Sequence, residues 1–425
     1  MRSFLANNNL IAVSAGARES ALNTAQTLNT AMLFSLSSMF NREPRTEDNA
    51  EEANGKEEAD TIYSLGFTSS GTLETDKAQV QHLAFLYAYA LGTVVTSAWG
   101  SGYEHVMTPI VDNFAHPSFT AAQRLGKTVM KQRFYSQFVE SVKTTFAKDS
   151  WVKASGATLG TGRVDASLVE ETVSAAYNAT SLILSANGVA GSTAAERLNS
   201  IHAVRALNPT TGEYTDVTVT AVSSATPAVL TITAPGAVVT STSYKILYAP
   251  TEAAWATFPS RVVEPPLRVT DLVVNIGGKW NGSAILGGRS MSSEIESVEH
   301  NISNNMKVEF RADGSAGAGA YANSVYREGR VQTLSLDRQF RDYIIQKKLD
   351  DLETFTVSLK ATGSAFETGK NYYAWLIFPC CSALKAPLKV NGKLLGETGD
   401  IKILQDDTYG SVIAKFGNKV AAYAA

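Results

Sequence analysis

Hydrophobic positions along this chain fall mostly into short β-branched and aromatic runs, broken by Gly, Pro, Ser and Thr, a pattern that predicts strands. One stretch departs from it. In LETDKAQVQHLAFLYAYALGTVVTSAW, from Leu73 to Trp99, Val80, Leu83, Ala84, Tyr87 and Leu91 stand three and four residues apart. That spacing predicts an amphipathic helix with Asp76 as N-cap and Gly92 as its stop. The preceding TIYSLGFTSSGTLETD reads as a hairpin. TVVTSAW and YEHVMTPI follow the helix as two strands joined through GSG, and SFTAAQRL, SQFVESVKTTFA and SWVKASGATLGTG read as further strands.

Residues 172–257 differ in character. TDVTVTAV, AVLTITAP and YKILYAP are short β-branched runs between turn formers, with few charges. They predict a small inserted all-β module of immunoglobulin-like size. After Pro265 and Pro266 the first pattern resumes: LRVTDLVVNIGGKW and SEIESVEHNIS alternate as strands. RVQTLSLD then leads into RQFRDYIIQKKL, where Phe340, Tyr343, Ile344 and Lys347 to Leu349 predict a second helix capped by Asp337. TFTVSLKATG and NYYAWLIFP follow, so the order strand, helix, strand, strand occurs twice. The expected fold class is mainly β: two related β-sandwich units, each with one packed α-helix, around an inserted all-β module. The expected boundaries are 1–171, 172–257 and 258–425.

Charge changes this picture at one place. Residues 42–60 carry eight acids against three bases and almost nothing apolar, which predicts a solvated loop or a segment ordered by a partner. Overall only 18% of the 425 residues are charged and the net charge is -3, which argues against a general nucleic-acid-binding surface. Cys380 and Cys381, adjacent in sequence, cannot easily bridge each other, so no disulfide framework is expected, in keeping with a reducing cytoplasm. Three Asn interrupt the apolar residues of MRSFLANNNLIAVSAG, and no export signal or membrane-inserting segment is expected.

The residues offer little chemistry. His82, His105, His116, His202 and His300 are scattered without metal-ligand spacing, and there is no H-E-x-x-H, P-loop or nucleophile elbow. The Gly-rich GSAGAGAYA at 314–322 lacks the Lys and Ser/Thr of a phosphate cradle and reads as a loop. The carboxylates of residues 43–60 lack the spacing of a calcium loop. No enzyme activity, cofactor or metal is expected.

GSGYEHVMTPI, HPSFTAAQRLGK, FVESVKTTFAKDSWVKASGATLGTG, FPSR, DLVVNIGGKWNG and SSEIESVEHNISNN together resemble the tail tube proteins of long-tailed bacteriophages, over most of the chain outside 172–257. The resemblance implies a structural virion protein, assembled in the bacterial host cytoplasm, whose rings stack around a tape-measure protein into a hollow conduit for DNA. Further implied partners are the baseplate or tip proteins and the tail terminator, with DNA passing through without specific binding. A barrel of strands from all subunits lines such a lumen, which disposes of exposed sheet edges. Trimeric rings are expected if both halves are tube units, hexameric rings if they form one. The segments GTVVTSAWGSGYEHVMTP and FTVSLKATGSAFETGKNYYAWLIFP are then the candidate barrel hairpins, with Thr93, Val95, Tyr103, His105, Phe355, Val357, Tyr373 and Trp375 on their strands. The lining is expected to be neutral or acidic, because neutralised phosphates would hold DNA back. Glu43, Glu47, Asp48, Glu51, Glu52, Glu57, Glu58 and Asp60 become candidates for a ring-to-ring contact. The alternative is a receptor-binding or adhesive β-sandwich protein with Trp255 or Trp280 in a binding groove.

Overall fold

The computed structural model describes residues 6–53, 56–126, 130–251, 256–312 and 320–424, and strands dominate among them. The protein is mainly β. Its chain divides into two compact units. One comprises Val164–Pro259 with Met1–Ile11 and Ala122–Arg133; the other comprises Ala12–Ala121, Phe134–Arg163 and Ser260–Ala425. These differ from the expected segments 1–171, 172–257 and 258–425, because strands from both sides of the module hydrogen-bond into one sheet.

In the smaller unit, Val169–Ala176, Ser241–Tyr248, Ile201–Leu207 and Tyr214–Asp216 form a four-stranded sheet in that order, and Ser181–Ile183, Val229–Ile232 and Val219–Val222 a three-stranded one. Alternation puts Thr242, Tyr244, Ile246 and Tyr248 inward along one strand, into a core with Leu182, Val204 and Leu230. A helix outside the strand pattern, Ala194–Asn199, starts at a capping box: Glu196 N–H donates to Thr193 Oγ1 and Thr193 N–H to the Glu196 carboxylate, both at 3.2 Å.

In the larger unit, after a short strand Thr30–Met32, β1 (Met39–Asp48) and β2 (Ile62–Thr75) pair antiparallel from Met39↔Thr72 to Asp48↔Ile62. Two expectations are corrected here. Residues 42–48 of the acidic run are strand rather than loop, and TIYSLGFTSSGTLETD is a single strand whose hairpin partner lies upstream. Helix α1 (Val80–Leu91) follows, then β3 (Gly92–Trp99) and β4 (Gly102–Pro109) as a hairpin. Gly92 ends α1 with a φ of 96°, a left-handed conformation that favours glycine. The N-cap is Gln79, whose N–H donates to His82 Nδ1 at 3.1 Å; Asp76 instead pairs with Lys153 at the surface. β5 (Met130–Ala147) and β6 (Lys153–Gly160) complete the first set.

Beyond the module come β7 (Leu272–Ile276), β8 (Ile295–Ser303), β9 (Val331–Gln339), α2 (Ile344–Asp350), β10 (Phe355–Glu367), β11 (Lys370–Lys385), β12 (Leu388–Asn391), β13 (Leu394–Leu404) and β14 (Ile413–Asn418). Asp337 lies within β9 rather than capping α2, whose Ile344 N–H is taken by Asp342 Oδ1 at 3.2 Å. The order hairpin, helix, hairpin thus occurs twice, β1/β2, α1, β3/β4 and β8/β9, α2, β10/β11, the second time with a further antiparallel pair, Met306–Glu309 and Ser324–Arg327, between β8 and β9. In each set a later strand joins the second strand of the first hairpin, β6 on β2 and β13 on β9.

Hydrogen bonding fuses the two sets. One branch of the sheet runs β1-β2-β6-β5-β8-β9-β13-β12, and the other β3-β4-β14-β11-β10-β7. They meet at β11, one edge of which pairs with β14 through Tyr373–Ile377 and with β13 through Cys380–Lys385. Helix α1 packs against β3, β4, β11 and β14 of one branch and β6 of the other, and every one of its residues is buried.

Candidate functional site

In the branch from β3 to β7, the alternate positions face opposite ways. Toward α1 point His105, Met107, Ala374, Leu376, Ala414 and Phe416, all buried. The opposite face carries two cross-strand rows set by register. One is Val95, Val106, Lys415, Trp375 and Lys360; the other is Ser97, Glu104, Gly417, Tyr373 and Thr362. Lys360 lies 4.9 Å from the Trp375 ring centroid and Lys415 5.5 Å from it, so both ammoniums rest on an aromatic face. The Tyr373 hydroxyl donates to the Glu104 carboxylate. A Cβ at Gly417 would stand 2.4 Å from the Tyr373 ring and 2.6 Å from Trp99, so glycine lets two aromatic rings lie over β14.

The eight residues expected on barrel strands do lie on β3, β4, β10 and β11, but they divide between the faces. Thr93 and Val95 are exposed, and half-buried Trp375 and buried Tyr373 belong to the rows facing away from α1. Phe355, Val357 and His105 are core residues, and Tyr103 shares the face of His105. His105 is held from both sides, Nδ1 by Thr96 Oγ1 at 2.9 Å and Nε2 by Val420 O at 3.0 Å. On the face away from α1, two lysines accompany one glutamate. The groove expected at Trp280 is absent: its indole is buried and packs edge-on to Trp375, with centroids 5.7 Å apart. Trp255 lies outside the described residues.

Among the described residues, several strands have one unpaired edge. β3 pairs only with β4, β12 only with β13, and β1 only with β2. Such edges are templates for another chain.

The β1–β2 hairpin projects as an arm. Residues 41–48 and 61–65 are exposed throughout, on both faces of the ribbon. Its base is clamped by stacking, with the Arg42 guanidinium 3.4 Å from the Phe67 centroid and that of Arg45 4.3 Å from Phe310. Asn49 closes its tip: Oδ1 accepts from Asp60 N–H at 3.0 Å and Thr61 N–H at 3.1 Å. Of the candidate acids, Glu43, Glu47 and Asp48 stand on β1, while Glu51, Glu52, Glu57, Glu58 and Asp60 form the tip, all exposed. Lys56, then Asn49, hold the Asp60 carboxyl below its ordinary range. Ile62, Tyr63 and Leu65 are exposed apolar residues among them. The charge run marks this arm in the sequence; the three apolar residues carry no such mark, since strand alternation also suits a buried face.

A buried polar cluster sits at the start of α1. Glu264 Oε2 accepts Gln81 N–H at 2.9 Å, Gln79 Oε1 accepts Glu264 N–H at 3.1 Å, and Gln81 Nε2 donates to Val262 O at 2.8 Å. Burial raises the Glu264 carboxyl to about 7 and lowers His82 to about 4. These contacts fasten residues 262–264 to the helix. An isolated acid before Pro265 and Pro266 carries no sequence signal for that role.

Among the described residues, no three His, Cys, Asp or Glu side chains are grouped to hold a metal, and no helix is long and apolar enough to cross a membrane. The Gly-rich run at 314–322 lies mostly outside the described residues. Set against known proteins, the chain matches no family model and no curated sequence.

Proposed function

We propose that this chain is a structural subunit of a hollow bacteriophage tail tube, a non-enzymatic protein that assembles with itself into stacked rings and conducts DNA. The observation that carries the reading is the doubled hairpin, helix, hairpin unit, whose second hairpins lie in one branch ending in the bare edge of β3. A bare edge of eight residues invites pairing with a neighbouring copy, and a ring of such pairings leaves no edge exposed. Three copies would present six of these hairpins, which favours a trimeric ring. The face away from α1, exposed at Val95 and Ser97 and half-covered farther in by Trp280, is then the surface toward the lumen, its aromatic-stacked lysines balanced in part by Glu104.

The arm suits contact between rings. An isolated two-stranded ribbon is marginal in water, and one with exposed Tyr63 and Leu65 gains stability from a covering surface. In the virion tail the tube would enclose a tape-measure protein and meet the tip or baseplate and terminator proteins at its ends. Negative-stain electron microscopy over a concentration series tests the reading. Stacked rings with a lumen of roughly 20 Å or more, wide enough for B-DNA, are expected. Discrete particles at every concentration, with or without a tape-measure protein, would overturn it.

A further inference from the structure

The branch that begins at the acidic arm ends at a hairpin of opposite character. Residues 384–395, LKAPLKVNGKLL, hold three lysines and no acid. β12 and β13 pair with Val390 opposite Leu395, and Gly392 and Lys393 form the two-residue turn, Gly392 at a φ of 66°. Leu388, two residues from Val390, shares that face. Leu388, Val390 and Leu395 are between 50% and 74% exposed, an apolar patch left half or more open to solvent. Lys385 and Lys393 flank it, both exposed. Lys389 is already paired with Asp337 at 2.8 Å.

On the arm, Tyr63 stands opposite Glu47, and Leu65 lies two residues beyond Tyr63 at the bulge between Arg45 and Thr46. One face of the arm therefore offers apolar side chains beside acids, and the β12–β13 hairpin offers apolar side chains beside lysines. We infer that the arm of one copy docks on the β12–β13 hairpin of a second copy, Tyr63 and Leu65 covering Leu388, Val390 and Leu395 while the arm carboxylates meet Lys385 and Lys393. Charge complementarity selects the occupant: a like-charged partner at either patch would be repelled. The two patches lie at opposite ends of one sheet branch and differ from each other. The contact is consequently head-to-tail, the kind that closes a ring or propagates a stack rather than stopping at a two-fold dimer.

This contact rests on the self-assembly proposed above, but it is separable from tube formation. The test uses two full-length variants, E47K/E51K/E57K with a reversed arm and K385E/K393E with a reversed hairpin, all at exposed positions. Each alone should lose self-association about tenfold or more. Mixed, the two retain one matched pair, the reversed arm facing the reversed hairpin, together with one intact arm and one intact hairpin. Sedimentation velocity should show them recovering association that neither has alone, and the five-fold variant combining all changes should self-associate again. Loss that neither mixing nor combination restores would overturn the inference, as would unchanged association of K385E/K393E. If K385E/K393E still forms tubes, this contact falls while the tube reading stands. If the mixture associates and the unaltered chain forms no tubes, the contact stands and the tube reading falls.

Discussion

Helices α1 and α2 occupy the same position in successive hairpin, helix, hairpin units, yet they are secured by opposite means. All twelve residues of α1 are buried, and its ring contacts run in several directions, Phe85 to Phe119 and Tyr87 to Phe416. A helix apolar nearly all round belongs inside a core. Its two polar residues are met in part: Gln81 donates through Nε2 to Val262 O and through its N–H to Glu264, and His82 Nδ1 accepts the Gln79 N–H, while Gln81 Oε1 and His82 Nε2 are buried without a partner. The C-terminal carbonyls of Ala90 and Leu91 accept from Arg330 Nη2 at 3.1 and 3.3 Å, a cation placed where the helix dipole favours it.

In α2, seven residues long, only Ile345 is fully buried. Its anchor is ionic. Arg338, wholly buried on β9, donates through Nε to Glu397 at 2.6 Å and through Nη1 to Glu294 at 3.0 Å, and it reaches Asp342 at the start of the helix at 3.1 Å. Gln346 on α2 donates to the second Glu397 oxygen at 3.0 Å. One position in the topology thus accepts either a core helix or a surface helix tied by a guanidinium. What is held constant is the hairpin pairing on either side, so the sheet, not the helix, defines the unit.

Four effects, read on five variants, probe that contrast. The largest losses should come from the two anchors. Phe85→Ala removes a wholly buried ring from the α1 core and should cost about 3–5 kcal/mol in denaturant unfolding. Arg338→Met leaves Glu397 buried without its cation and Glu294 with Arg289 alone, and should cost a similar amount, about 3–5 kcal/mol. If Arg338→Met instead proves neutral, the ionic account of α2 is wrong. Next, Gly417→Ala should cost about 1–3 kcal/mol through overpacking against Tyr373 and Trp99, with a matching change in near-ultraviolet circular dichroism from the displaced rings.

The third effect is pH dependence around α1. His82 and His300 are held neutral by burial, each near 4 against 6.5 in the unfolded chain. The unfolded chain therefore binds more protons below pH 6.5, so this stability is complete above 6.5 and is lost as pH falls toward 4. Glu264 runs the other way, raised from 4.5 to about 7, so its burial costs stability as pH rises through that window. Glu264→Gln should raise the melting temperature at pH 8 and leave it nearly unchanged at pH 4. A lower melting temperature at pH 8 would show that the charged carboxylate is stabilised at the helix start. Smallest of all, Lys347→Ala on the outer side of α2 removes an exposed pair with Asp351 and should change stability by no more than about 0.5 kcal/mol.

Much of the strand order was legible, and the reason is local. β3, β4, β6, β8, β9, β10 and β11 all fall where alternating β-branched and aromatic residues lie between turn formers. Gly92 was legible as a helix stop because a left-handed terminus has few alternatives to glycine. Asp76 and Asp337 misled as caps because of where the helices begin: Asp76 stands three residues before the N-cap Gln79, and Asp337 lies within β9, bonded to Lys389 and Thr398. The acidic run read as a loop because charge usually marks solvated coil, while antiparallel pairing with β2 supplies hydrogen bonds that a single segment does not reveal.

By itself the sequence determined that the protein is mainly β, that a helix follows Thr75 and stops at Gly92, that a helix followed by two strands recurs, and that residues 42–48 stay exposed. Those follow from periodicity, turn chemistry and desolvation cost, which act over a few residues. Only the tertiary structure decided that both halves share one sheet forked at β11, that α1 is enclosed while α2 lies outside, that His105 and Phe355 face the core while Val95 and Trp375 do not, and that the acidic arm and the lysine hairpin end the same branch. These depend on which strands pair at long range and in what register, and a one-residue change of register exchanges the two faces of a strand.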